Sequence, residues 1–137
     1  MVPLMQPHRS IVLHLHGDSF ARRYQVASHA ITAAASGAEV LVILWFEGLT
    51  RWVNGSFDEP VGADDGAVAE RLGVLGLPPP SVMLAEARAL GARIAACETA
   101  VRLAGLDPDE LGAEVDERPG LQEILERELR ADLVLYV

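Results

Sequence analysis

The stretch that decides the fold is Leu84 to Leu106, LAEARALGARIAACETAVRLAGL. A helical pattern runs up to Leu90 and Gly91 closes it. Ala92 to Ala96 is then a short apolar run that stops at Cys97, the one cysteine of the chain. Polar, helix-forming residues resume at Glu98, and Gly105 ends that second helix. Helix, strand, helix in so few residues is the grammar of an α/β protein, with a thiol at the strand-to-helix junction. In such folds ligands and chemistry collect at the carboxyl ends of strands.

Working outward, the same alternation recurs. Ser10 to Leu15 predicts a first strand, with Ile11, Leu13 and Leu15 on one face and Val12, His14 and His16 on the other. Gly17-Asp18-Ser19 predicts a turn, with Asp18 or Ser19 capping a helix over Phe20 to Ser36. Glu39 to Phe46 (EVLVILWF) is apolar without alternation, as expected of a parallel strand buried on both faces. Leu49 to Pro60 reads as irregular. A short helix over Asp64 to Leu75 follows, with the acids at 58, 64 and 65 read as a solvated loop. Three prolines (78–80) form a joint, and Ser81 is expected to cap the helix through Leu90. Beyond Gly105, Ala113 to Asp116 is a weak strand candidate. Gly120 to Arg130 predicts a helix with Leu121, Ile124, Leu125 and Leu129 facing the core, and Leu133 to Val137 a last strand. Residues 1–9, with Pro3 and Pro7, read as a loose lead-in. Alternating strands and helices imply a three-layer α/β/α domain spanning residues 1–137 around a mainly parallel sheet.

Composition narrows the function classes. Net charge is −9, and all 11 basic residues are arginine against 20 acids. Nucleic acids and anionic membranes demand a basic footprint, so neither is an expected partner. No apolar run approaches the roughly 20 residues that cross a bilayer, and the N-terminus lacks the apolar stretch of a signal peptide. A cytoplasmic protein is the expectation. A lone cysteine excludes an internal disulfide, a CxxC pair and an all-cysteine zinc site.

Chemistry centres on Cys97. At the first turn of a helix, free N–H groups favour a thiolate and make the sulfur nucleophilic. The negative Glu98 beside it works in the opposite direction. The apolar flank Ile94-Ala95-Ala96 offers the other reading, a small buried apolar residue. His14 and His16 share a strand face at roughly 7 Å. No third metal ligand accompanies them. His14 reads as packed beneath a helix with a hydrogen bond, and His16, at the strand's carboxyl end, as a proton shuttle or thiol partner. Gly17-Asp18-Ser19 offers backbone N–H groups to an anion, although its simpler role is turn and cap. Neither GxGxxG nor a Walker lysine is present, so no cofactor is implied. Glu47, after the second strand, faces the same cleft.

These features together resemble the DsrE/DsrF-like sulfur-relay family. The resemblance rests on the first strand running into Gly17-Asp18, on Ala33 to Leu49 (AAASGAEVLVILWFEGL), and above all on Gly91, Ala92 to Ala96, Cys97 and Gly105-Leu106 in that order. It implies a five-stranded parallel sheet, assembly as a trimer or hexamer, and Cys97 at the position that carries persulfide sulfur in active members. A sulfurtransferase-like carrier would load Cys97 from a donor protein and hand the sulfur to an acceptor thiol on another molecule, since the chain holds no second cysteine. Glu98, His16, Gly17, Asp18 and Glu47 would line the pocket. The family also includes members that do not carry sulfur. The alternative is therefore a non-catalytic oligomeric module that binds a small anion or a protein, with Cys97 structural. Trp45, Phe46, Trp52 and Phe57 are expected to gather near one sheet edge and serve association, although Trp45 also reads as core.

Overall fold

The computed structural model describes residues 9–137; most of the expected lead-in lies outside the described residues. Among the described residues the chain is a mixed α/β fold around a parallel sheet of four strands, not five, with β1 Ser10–Leu15, β2 Glu39–Leu44, β3 Arg93–Ala96 and β4 Leu133–Tyr136 in the order β3-β2-β1-β4. The central pair is fully registered, from Ser10 opposite Glu39 to Leu15 opposite Leu44. A fifth strand fails because the segment after Leu103 coils first. Two 3₁₀ turns occupy Pro108–Glu110 and Gly112–Glu114, and the expected strand at Ala113 to Asp116 shrinks to one bridge between Glu117 and Ala95.

The helices are α1 Phe20–Ala35, α2 Phe46–Asn54, α3 Gly62–Val74, α4 Pro80–Ala89, α5 Glu98–Leu103 and α6 Leu121–Arg130. Ile11, Leu13 and Leu15 pack with Val42, Leu44, Ile94 and Ala96 against small residues of α1 and α4, such as Ala27, Ala30 and Ala87. The opposite face carries Val12, Leu41, Ile43 and Ala95, covered by Ala100 of α5 and Ile124 of α6. Helices thus lie on both faces, as alternating strands and helices require.

Three expectations fail for local reasons. Leu49 to Pro60 is not wholly irregular: β2 passes straight into α2, with Phe46 at φ 45° making the turn that glycine normally makes. Trp52 and Phe57 are core rather than edge residues, and the indole N–H of Trp52 donates to the Glu114 carbonyl at 2.6 Å. On α6 only Ile124 is buried, while Leu121, Leu125 and Leu129 are exposed.

The acids at 58 and 65 are not solvated loop residues either. Asp65 accepts from the backbone N–H of Phe20 at 2.7 Å and of Val61 at 2.7 Å. Asp58 accepts from the N–H of Ser81 at 2.8 Å and also from its hydroxyl. Ser81 is therefore not the cap of α4; Pro79 holds the cap position and Pro80 opens the helix, where a missing N–H costs nothing. Each acid ties a loop to a helix start.

Candidate functional site at the carboxyl ends of the strands

One residue past the last registered pairs, His16, Trp45 and Cys97 form a row across β1, β2 and β3 on the α6 face. Trp45 stands between the other two. The His16 and Trp45 rings lie 5.1 Å apart, while His16 and Cys97 are separated by two strand spacings, about 9.5 Å. The geometry does not pair His16 with the thiol.

Cys97 is 0% exposed. It belongs to the apolar cluster on this face that holds Ile43, Ala95, Ala100 and Ile124, and its side chain takes no part in capping α5. The N–H of Glu98, next along the chain, donates to the Pro119 carbonyl at 3.1 Å, which draws the 117–119 segment alongside the junction. Glu98 itself is exposed and pairs with Arg102 at 3.3 Å. The expected first-turn thiolate site is therefore sealed.

The anion cradle expected at Gly17-Asp18-Ser19 is already filled. Ser19 caps α1 by accepting from the Arg22 N–H at 3.2 Å. The Phe20 N–H is held by Asp65, and Asp65 stays ionised below the usual carboxylate range: burial acts to raise its pKa, but N–H groups of Val61, Phe20 and Ala21 and the Arg23 charge outweigh that. Arg23 is fully buried and donates to the carbonyls of Asp18, Phe57 and Glu59. Asp18 contributes its carbonyl to this knot, leaving its carboxylate exposed. Gly17 lies under Arg22, whose Cδ would be 2.5 Å from an added Cβ. Glu47 is exposed at the start of α2, 3.9 Å from Arg51.

A second group gathers around β1 and β4, where the strand order reverses and an α/β crevice forms. His14 is 0% exposed, and its Nδ1 accepts from the indole N–H of Trp45 at 2.9 Å. Its Nε2 lies 3.0 Å from Glu128 of α6, off the line of a hydrogen bond. Tyr136 stacks on His14 at 4.2 Å and donates to Glu128 at 3.0 Å. Burial pushes the His14 pKa down, with Glu128 opposing and His16 assisting; burial lowers that of His16 as well. Among the described residues no three His, Cys, Asp or Glu side chains converge as metal ligands. Residue patterns pointed to His14 beneath a helix. They did not reveal Trp45, Glu128 or Tyr136 as its partners, because that needs the β1–β4 register.

The exposed part of this rim is aromatic. Phe46 is 48% and Tyr136 60% exposed, with His16 exposed and Trp45 half-buried between them. Phe46 holds a backbone conformation that L-residues avoid, and strain of this kind gathers at functional positions.

No family model matches the chain, and no curated protein matches it. Among solved structures, the chain is similar to a protein of unknown function, MTH1491 from Methanobacterium thermoautotrophicum, at 20% identity and a TM-score of 0.59, covering 94% of this chain and 99% of that one. The likeness is one of fold.

Proposed function

We propose that the chain is a non-catalytic, self-associating binding module that meets a protein partner through the aromatic rim at the carboxyl ends of β1, β2 and β4. The observation that carries this reading is the contrast at one end of the sheet, with the thiol of Cys97 fully covered and His16, Phe46 and Tyr136 open to solvent. Exposed aromatic side chains are the residues that anchor protein interfaces. A small anion fits less well, because Asp65 already satisfies the start of α1. Self-association is supported by β4, which among the described residues has a strand partner on one side only, and by the open stripe Leu121, Leu125, Leu129 of α6.

Alkylation tests the reading. A bulky maleimide should label Cys97 slowly in the folded protein and rapidly after denaturation. Incubation with a persulfide donor should leave the intact mass unchanged. The second reading, a sulfur carrier handing sulfur from a donor to an acceptor thiol, is favoured by the position of Cys97 at the β3–α5 junction. It requires α5 or the 117–119 segment to swing away. Added sulfane mass on the wild type, absent from Cys97→Ser, would replace the first reading with this one.

A further inference from the structure

The helix returning from β3 is short. α5 has six residues and covers the carboxyl half of its strand, so the amino half of that sheet face is left as an open groove of about 490 Å³. This size suits a small ligand. The floor is Val12 and Leu41, both nearly buried, and the walls hold Arg93, Arg127 and Arg130. A chain with 20 acids and 11 arginines thus places three of those arginines around one cavity.

Their N–H groups exceed the acceptors beside them. Glu117 takes one bond from Arg93 at 2.7 Å and a two-pronged bond from Arg127 at 2.9 and 3.4 Å. Each guanidinium has five N–H donors, so both keep donors free, and the shared carboxylate fixes their orientation. Arg130 makes no ion pair or side-chain hydrogen bond among the described residues. Two acids also line the groove, Glu39, whose charge acts on Arg127, and Asp132. Asp132 is engaged, accepting from the Ser10 N–H at 2.8 Å and lying 3.8 Å from Arg9.

We propose that this groove is a binding site for a small organic anion, a phosphate ester or carboxylate with an apolar body. The anionic head takes the spare N–H groups of Arg130 and Arg93, in the forked geometry guanidinium offers to such oxygens. The apolar body lies along the methylene stems of the arginines, since Val12 and Leu41 at the floor expose almost no surface. The groove opens at the opposite end of the sheet from the aromatic rim, so the proposal stands independently of the partner-binding reading.

Phenyl phosphate is the probe, followed through the arginine side-chain Nε–H signals of the full chain. It should bind saturably and shift Arg93 and Arg130. Arg130→Gln should weaken binding about tenfold, the loss of one charged hydrogen bond, and Arg130→Lys should recover part of it. Arg102→Gln, on α5 outside the groove, should bind as the wild type does. Benzylamine, with the opposite charge, should not compete, and inorganic phosphate should bind more weakly than phenyl phosphate. Absence of saturation, equal loss in Arg102→Gln, competition by benzylamine, or inorganic phosphate binding as tightly as the ester would each overturn the proposal.

Discussion

Cys97 holds the N-cap position of α5, and its thiol makes no cap bond. Serine there places a hydroxyl of similar shape beside the first N–H groups of the helix, so a cap bond offsets the desolvation of the hydroxyl. Cys97→Ala removes apolar contact and offers no cap, and should be the less stable variant by about 1 kcal/mol. Urea unfolding of the two variants checks the order. His14 makes a separate prediction. With Trp45 donating to Nδ1, the neutral ring carries its proton on Nε2, and protonation at Nδ1 breaks that bond. Its folded pKa lies below the unfolded value of about 6.5. The unfolded chain therefore binds the proton first as pH falls. Stability should drop as pH passes below about 6.5 and level off below the folded pKa. In His14→Gln that slope should shrink to the part contributed by His16, whose folded pKa burial also lowers.

Elements here are held by side chains far away in sequence. The start of α1 is completed by Asp65, 45 residues on. Asp65→Ala should cost about 1–2 kcal/mol, in the range for lost helix caps, and should raise hydrogen exchange at Phe20 first. At α6 the expectation concerns association. Leu125→Glu should lower the sedimenting mass without changing urea stability, since Leu125 is 54% exposed. The same distinction explains what the residues alone revealed. β1 was readable to the residue because its apolar run ends in a turn. β2 was readable for its length of continuous apolar residues, but its end was not, since Phe46 makes a glycine's turn without being glycine. The leucines of α6 have the spacing of a core face, and spacing does not say whether the surface they meet belongs to the same chain. Asp65 reads as a solvent residue because its partners are backbone N–H groups of a distant helix start and of a loop, which carry no sequence mark. Cys97 was located correctly along the chain; its burial depends on Ile124 and the 117–119 segment, both distant in sequence.

Across the whole molecule, acid should act in two stages. The loss through His14 comes first, below about pH 6.5. A second belongs to Glu117, held below its usual range chiefly by the bond from Arg127, and to Asp65 and Asp116. Burial raises the Asp116 pKa, but the bond from Arg88 and the Ile94 N–H outweigh it. Their depressed folded pKa values contribute stability above the unfolded carboxyl range that is lost as pH falls through it. Two breaks in stability against pH, the upper one reduced in His14→Gln, would verify the assignment. The strand order has a consequence for synthesis. Of the four strands β1 comes earliest yet sits inside the sheet, and Ile11, paired with Val40 on one side, finds its other neighbour only at Leu133. On a ribosome, an emerging chain would show one bare edge of β1 until β4 had left the exit tunnel. Nascent fragments ending before residue 133 are therefore candidates for chaperone capture, and release of the last strand is the step that withdraws them from it.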